Sequence, residues 1–271
     1  MSIIKEVVVE GRTYSFEFQK YAKQANAAVM VSSGDTQVLV TVCASKEAKP
    51  DLDFLPLGVD YIEKSYAAGR VPGGYQKREG KPSDAAALTA RIIDRPLRPC
   101  FPDGIRNEIV INATVVSYEH GFNPAPMALL GASTALMISD IPFNGPVAAL
   151  SIGYNKGSFV IDPPEGDEAS DLEMTIACKP DAVLMVEAGA RFLQEEEMLQ
   201  AIAHAQKTME PFFQMQKEIQ SEIGLEKWEI KSHEPEPTEQ ELQDKVREVS
   251  EGKLKDALSI PEKQKRQQHI T

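Results

Sequence analysis

The sequence predicts an α+β fold in which mixed strands pack against helices, followed by an all-α domain. Tyr14, Phe16 and Phe18 alternate with polar residues, which is the period of a half-buried strand. Residues 123–139 are apolar on nearly every side, as is typical of a helix buried between two layers. From Gln194 onward the chain changes to long helical patterns that begin with acidic residues.

Strands dominate the first 65 residues, and a helix follows them. Residues 27–33 and 37–43 flank a Gly-Asp pair, so we expect them to form the two arms of a hairpin. Ser83 is a suitable N-cap for the helix, and we expect Pro96 to end it because the residue before a proline avoids helical dihedral angles. Further strands are predicted at residues 55–62, 108–118, 147–154, 158–162, 171–179 and 182–189.

The C-terminal part of the chain is predicted to be helical. We expect one long helix from Gln194 to Gly224, with a kink at Pro211. Residues 229–238 are polar and contain prolines, which indicates a linker. Residues 239–258 return to a charged amphipathic helix.

The composition is that of an ordinary globular protein, with 42% hydrophobic and 26% charged residues among 271. Fibrous and wholly disordered classes are therefore excluded. No run of about 18 apolar residues occurs, so we expect no membrane-spanning segment. The N-terminus has no secretory signal pattern, and Cys43, Cys100 and Cys178 form no C-x-x-C pair, which together favour a cytoplasmic location.

Charge is distributed unevenly along the chain. The formal net charge of −12 by itself argues against binding to nucleic acid. Residues 1–164, however, contain 16 basic and 17 acidic residues, so the acidity belongs to the C-terminal part. A basic cluster lies within the nearly neutral part and consists of Arg70, Lys77, Arg78, Lys81, Arg91, Arg95 and Arg98.

The basic cluster is the strongest candidate for a binding site. Its loop, residues 67–82, contains four glycines and two prolines, and long irregular loops inside compact domains are usually functional. Guanidinium groups bind phosphate, and an aromatic ring such as that of Tyr75 stacks on an unpaired base. These residue types indicate single-stranded RNA. The alternative is a solvated surface on which Arg91 or Arg95 pairs with Asp94.

Other candidate sites are weaker. The acidic segment 165–173 has carboxylates of the kind that hold magnesium, and the alternative is a solvated acidic loop. The four histidines lack the spacing of metal ligands, and no glycine-rich phosphate loop follows a strand. Residues 32–35 have the composition of an anion-binding turn, although hairpin geometry explains them more simply.

Several long strings of residues resemble the bacterial polynucleotide phosphorylase family over the whole chain. They are DFLPLGVDY, AAGRVPGGYQKREGKPS, ARIIDRPLRPCFPDG, INATVVS, NPAPMALLGASTAL and IPFNGPVAAL. The resemblance implies an RNase PH-like fold of the ribosomal protein S5 domain 2-like type. It implies a first core domain over residues 1–190, whose last helix can extend to about residue 224, and the start of an all-helical linker domain over residues 225–271.

The resemblance also implies an activity. The family consists of polyribonucleotide nucleotidyltransferases, which are phosphorolytic exoribonucleases that degrade single-stranded RNA from its 3′ end in mRNA turnover. Inorganic phosphate is the co-substrate, magnesium (Mg2+) is the metal, and nucleoside diphosphates are the products. Three chains form a homotrimeric ring around a channel, and RNA-degradation complex proteins are implied as further partners.

The resemblance assigns roles within the basic cluster. Lys77 and Arg78 match the basic pair at the channel constriction, where Tyr75 and Gln76 replace two phenylalanines. Loss of one stacking ring at Gln76 is expected to weaken RNA binding by about 1–3 kcal/mol. The residues expected to bind RNA are Arg70, Tyr75, Gln76, Lys77, Arg78, Arg91, Arg95 and Arg98.

No catalytic residue is expected in this chain. The family's phosphate and Mg2+ residues lie mainly in a second core domain, and the helix that matches its serine run retains only Ser133. Asp171 matches one metal-binding aspartate but has no matching partner, so no metal site is expected. We therefore expect the chain to guide RNA and build the ring, and to be inactive alone. A non-catalytic RNA-binding or assembly scaffold, and an unrelated small-molecule phosphate enzyme, stay open as alternatives.

Overall fold

The protein is described by a computed structural model that covers residues 2–49, 52–155, 157–164, 170–230 and 237–270, without the side chains of 237–240. The chain divides into two compact units, Met1–Ile230 and Lys231–Thr271. Among the described residues, the first unit holds two sheets and four α-helices, and the second unit holds two α-helices.

Six strands form the larger sheet: β1 (Ile3–Val9), β2 (Arg12–Phe18), β3 (Ala27–Ser33), β4 (Thr36–Ala48), β5 (Leu57–Glu63) and β6 (Asn107–Ser117). Their order is β1-β2-β3-β4-β6-β5, and all neighbours are antiparallel except β5 and β6. Tyr14, Phe16 and Phe18 are buried, which confirms the alternation predicted for β2. β3 and β4 form the predicted hairpin, in which Ser33 pairs with Thr36.

Four antiparallel strands form the smaller sheet: β7 (Ala148–Asn155), β8 (Ser158–Ile161), β9 (Leu172–Lys179) and β10 (Ala182–Ala190). Their order is β10-β9-β7-β8, so β10 is an edge strand, and most of it is exposed. The four strands lie where the sequence predicts them, to within one residue at most ends.

Six helices lie within the described residues: α1 (Asp84–Leu97), α2 (Ala125–Ile138), α3 (Glu195–Thr208), α4 (Glu210–Ile223), α5 (Pro237–Leu258) and α6 (Lys263–Ile270). The helices α5 and α6 belong to the second unit. None of the described helices is both long enough and apolar enough to cross a bilayer.

The helix α2 is the centre of the core in the first unit. All 14 of its residues are buried, as its largely apolar sequence predicts. It contacts β3 and β4 of the larger sheet and β7 of the smaller one. Gly131 permits this close approach, because a Cβ atom there would lie 2.6 Å from Cγ2 of Val40. Both sheets therefore pack on one apolar helix.

The predicted end of α1 at Pro96 is wrong. The helix continues through Pro96 to Leu97, and a 3-10 turn follows at Arg98–Cys100. The backbone N–H of Arg98 donates to the carbonyl oxygen of Asp94, which keeps the last turn closed. Because Pro96 and Leu97 are buried, tertiary packing outweighs the local preference against a helix before proline.

The long helix predicted from Gln194 is two helices. Gln194 is the N-cap of α3 and forms a capping box with Glu197. The break between α3 and α4 falls at Met209, two residues before the predicted kink at Pro211. Pro211 occupies the first turn of α4, where the N–H that it lacks would have no intrahelical partner.

A lysine holds the segment that follows α4. Lys227 Nζ donates to the carbonyl oxygens of Leu136, Met137 and Ser139 at 2.8, 3.0 and 2.6 Å. These carbonyls lie at the C-terminal end of α2, where carbonyl groups lack partners within the helix. Burial lowers the pKa of Lys227 to about 8, and the nearby charge of Asp140 opposes that shift.

We expect Lys227→Met to lower the free energy of unfolding by about 2–3 kcal/mol, because three carbonyl groups lose their donor. Urea denaturation measures the loss. Lys217→Met, at an exposed position of α4, serves as the control and is expected to change stability by less than about 0.5 kcal/mol. Equal stability of wild type and Lys227→Met would contradict the capping role.

Candidate nucleic-acid interface

The loop between β5 and α1 carries the first part of the basic cluster. It begins with the 3-10 turn Ser65–Ala68 and ends at Ser83, the N-cap of α1. Residues 73–85 are all exposed, so core packing does not hold this stretch. The Lys77 N–H donates to the carbonyl oxygen of Gly74 at 3.0 Å and closes a turn whose tip is formed by the two residues between them.

The tip of the loop presents one ring and two cations to solvent. The Tyr75 side chain is fully exposed, and Gln76 beside it is exposed as well. Lys77 adopts a left-handed backbone conformation with a φ of 51°. Within the described part of the chain, the side chains of Lys77 and Arg78 form neither ion pairs nor hydrogen bonds. These side chains are therefore available to a ligand.

A cleft of about 410 Å³ lies at the base of the loop. Lys64 and Arg70 line it together with Tyr118, which follows β6. Neither Lys64 nor Arg70 forms an ion pair with any residue that the structure describes. Two unpaired cations therefore lie at the base of the loop, where Glu63 also lines the cleft.

The helix α1 carries the second part of the basic cluster. Ser83 Oγ accepts a hydrogen bond from the N–H of Ala86, which confirms the predicted N-cap. Arg91 is exposed and lines a groove of about 290 Å³ between α1 and β5, together with Asp60. Its guanidinium group has no partner among the described residues.

Arg95 is paired with a residue of the smaller sheet. Its Nη1 atom lies 3.0 Å from Oε2 of Glu187 on β10. The side chains are 50% and 60% exposed, and ion pairs this exposed are worth about 1 kcal/mol or less. A phosphate group can therefore compete with Glu187 for Arg95.

Arg98 forms several hydrogen bonds within the chain, so its guanidinium group is less available for the expected contact with RNA than those of Arg78 and Arg91. Its Nη1 and Nη2 atoms donate to the carbonyl oxygens of Leu55 and Leu57 at 3.1 and 3.2 Å. Its Nε and Nη2 atoms also lie 3.3 and 2.7 Å from the two carboxylate oxygens of Asp94. Arg98 therefore ties the end of α1 to the segment that enters β5. Asp94 pairs with Arg98 and Arg95 pairs with Glu187, so the alternative pairs of Asp94 with Arg91 or Arg95 are not found among the described residues.

The described residues do not fit a magnesium ion. Asp171 and Glu173 are exposed, and residues 165–169 of the acidic segment lie outside the described residues. No group of three or more potential His, Cys, Asp or Glu ligands occurs in the part of the chain that the structure covers. A magnesium site needs several oxygen ligands held together, which Asp171 alone does not supply.

The start of α2 is poorly suited to bind phosphate. Pro124 and Pro126 have no N–H group, and the N–H of Ala125 donates to Oδ1 of Asn123 at 2.9 Å. Phosphate at a helix N-terminus needs free backbone N–H groups. Ser133 lies deeper in the helix, where its hydroxyl donates to Gln216 and accepts from the N–H of Val147. Ser133 is therefore structural.

Asp162 is a titratable group that no local pattern in the sequence singles out. It follows β8 in a left-handed conformation with a φ of 48°. The Tyr14 hydroxyl donates to one carboxylate oxygen, and the Ser151 N–H donates to the other at 3.4 Å. Burial raises the pKa of Asp162 to about 6, which the Ser151 hydrogen bond and the charge of Arg12 oppose. Tyr14 and Asp162 are 148 positions apart, so only the fold brings them together.

Comparison with known proteins identifies the class. A family model described as "3' exoribonuclease family, domain 1" matches residues 10–142, and one described as "3' exoribonuclease family, domain 2" matches residues 145–208. Together the two models match more than half of the chain. The chain belongs to the 3′ exoribonuclease family.

Within this family the chain is similar to bacterial proteins named polyribonucleotide nucleotidyltransferase. It is 44% identical over 266 residues to the protein of Geotalea uraniireducens, covering 98% of this chain and 38% of the relative. It is 47% identical over 254 residues to the protein of a Roseiflexus species, and the match covers 93% of this chain and 34% of the relative. It is 46% identical over 261 residues to the protein of Listeria welshimeri, and the match covers 96% of this chain and 36% of the relative. The chain thus spans about a third of the length of these relatives.

The fold also resembles a solved structure. The crystal structure of rice (Oryza sativa) Rrp46 superposes with a TM-score of 0.59 at 12% identity. The match covers 77% of this chain and 92% of that one. Together with the family models, this likeness confirms the predicted RNase PH-like fold.

We expect Asp162→Asn to change how stability depends on pH. The native state holds the Asp162 proton up to about pH 6, whereas an unfolded aspartate loses it near pH 4. Native wild type therefore binds more protons in this interval, and its stability falls as the pH rises from about 4 to 6. Urea unfolding from pH 4 to 7 should show the variant gaining about 2–3 kcal/mol relative to wild type. A difference independent of pH would contradict the raised pKa.

Proposed function

We propose that this chain is the N-terminal part of a phosphate-dependent 3′-to-5′ exoribonuclease that degrades single-stranded RNA and releases nucleoside diphosphates. In this proposal the chain guides the RNA and builds the ring, and the full-length protein acts in mRNA turnover. The names of the matched relatives and the family models support the class, and the share of their length that is matched supports the assignment to one part of a longer protein.

The free cations of the basic cluster are the observation that carries the proposal. Lys77, Arg78 and Arg91 have exposed side chains without partners among the described residues. The chain contains 41 acidic and only 29 basic residues, so acidic partners are not scarce. Unpaired cations beside an exposed ring favour a polyanion that carries unpaired bases, which is single-stranded nucleic acid.

Each proposed RNA contact follows from the exposed chemistry. Tyr75 stacks on a base, Gln76 donates or accepts a hydrogen bond, and the Lys77 ammonium group contacts a phosphate. The guanidinium forks bind phosphate oxygens, with Arg95 released from Glu187 when RNA is bound. These guanidinium groups belong to Arg70, Arg78, Arg91 and Arg95. Arg98 is left out because its donors hold Asp94 and two backbone carbonyls.

Phosphorolysis requires stabilisation of the attacking phosphate and of the leaving phosphoryl oxygen. The described residues supply arginines to such a site, but they fit neither Mg2+ nor a phosphate at the start of α2. We therefore assign the Mg2+ site and the bound inorganic phosphate to a part of the full-length protein beyond this chain. No catalytic residue is assigned here.

The proposed assembly is a cytoplasmic homotrimeric ring that works with RNA-degradation complex proteins. The first core domain comprises residues 1–190 with its last helices reaching about residue 224, and a helical linker domain starts at 225. The support is the resemblance of the sequence to the polynucleotide phosphorylase family.

We expect Lys77→Ala/Arg78→Ala to weaken binding of this chain to single-stranded oligo(A) about tenfold in low salt and to reduce the slope of log K against log salt by about 1.4. Fluorescence anisotropy at several salt concentrations measures both quantities. Lys23→Ala/Lys46→Ala removes the same charge from two exposed positions outside the basic cluster and should change neither. Equal RNA affinity and equal salt dependence of the two double variants would favour the alternative that the chain is an assembly scaffold.

We expect this chain alone to release no ADP from poly(A) in the presence of inorganic phosphate and Mg2+, because its described residues fit neither a phosphate site at the start of α2 nor a metal site. Chromatographic detection of ADP measures the activity. ADP release that depends on phosphate and stops with EDTA would show that the chain holds a complete catalytic site.

A further inference from the structure

We propose that Glu79 is a positioning residue that clamps the RNA-binding loop in its binding conformation. That the loop binds RNA rests on the proposed function, whereas the role of Glu79 as a clamp is argued from contacts within the chain. Glu79 Oε1 accepts a hydrogen bond from the Ser65 N–H at 2.8 Å, and Oε2 accepts one from the Ser65 hydroxyl at 3.1 Å. One carboxylate thus joins the two ends of the loop.

Ser65, which binds this carboxylate, is itself held in place by the larger sheet. The N–H of Lys64 donates to the carbonyl oxygen of Val115 in β6 at 3.3 Å, and the N–H of Tyr118 donates to Ala67 at 3.1 Å. These two bonds attach the 3-10 turn that contains Ser65 to the end of the larger sheet. Glu79 therefore connects the exposed part of the loop to a rigid element.

Little else restrains this part of the loop. Glu79 supplies two hydrogen bonds that join residues 71–82 to Ser65, whereas the Lys77 N–H bond to Gly74 stays within the loop. Residues 73–82 are exposed, so burial of apolar groups does not replace the missing bonds. Tyr75, Lys77 and Arg78 therefore depend on Glu79 for their common orientation.

A purely electrostatic role and a positioning role of Glu79 predict opposite effects of its removal on RNA affinity. A carboxylate one residue from Arg78 repels phosphate, so its removal should strengthen RNA binding if charge alone matters. A clamp instead pre-orders the loop, which lowers the conformational entropy lost when RNA binds. Removing the clamp should then weaken RNA binding despite the gain in positive charge.

Glu187 provides the matched control. It is also an exposed carboxylate beside the basic cluster, but it contacts Arg95 and anchors no loop. Glu187→Ala makes the same change in charge as Glu79→Ala. It should strengthen RNA binding about twofold, because Arg95 loses a competitor for phosphate.

The test compares Glu79→Ala, Ser65→Ala and Glu187→Ala in binding to single-stranded oligo(A) at low salt. We expect Glu79→Ala to lower the affinity about fivefold and Ser65→Ala, which changes no charge, to lower it about twofold. Affinity of Glu79→Ala equal to or above that of wild type would overturn the proposal.

Limited trypsin digestion tests the clamp without RNA. Cleavage after Lys77 and Arg78 should be about tenfold faster in Glu79→Ala and unchanged in Glu187→Ala, because only the first variant frees the loop. Unchanged cleavage in Glu79→Ala would also overturn the proposal. Faster cleavage together with no RNA binding by the wild type would support the clamp and refute the proposed function.

Discussion

Complete burial of α2 is the constraint on which the first unit depends. A helix that is apolar on all sides is stable in water only if protein covers it on all sides. β3 and β4 cover part of it, β7 of the second sheet covers another part, and α1 and α4 pack on the remainder. The strand β6, which anchors the start of the loop between β5 and α1, also belongs to this layer. The position of the basic cluster is therefore a consequence of core packing.

Carboxylates organise the cations of the proposed interface. Asp94 engages Arg98 as a structural tie, Glu187 holds Arg95 in an exposed pair, and Glu79 binds Ser65. None of the three carboxylates forms an ion pair or a side-chain hydrogen bond with Lys77, Arg78 or Arg91 within the described residues, so those cations are left for an anionic ligand. In a chain with a net charge of −12, such selective pairing is what separates a binding surface from a merely solvated one.

Local features of the fold follow from local sequence, and the predictions from sequence fail where contacts between distant residues determine the structure. The buried helix, the β3–β4 hairpin and the Ser83 cap were predictable, since each depends on neighbours along the chain. The end of α1 was not predictable, because Pro96 is kept helical by tertiary packing. The partner of Asp94 was not predictable either, since Arg98 is oriented by the carbonyl groups of Leu55 and Leu57.

By itself the sequence determined the periods of the strands and helices, the existence of a basic cluster and its family resemblance. Periodicity and strings of residues carry that information without reference to neighbours in space. Tertiary structure alone decided which cations are free, because ion pairs form between residues that packing brings within a few ångströms. Arg95 meets Glu187 across 92 positions, and Arg98 meets Leu55 across 43, so the number of guanidinium groups without a partner in the described residues is a property of the fold.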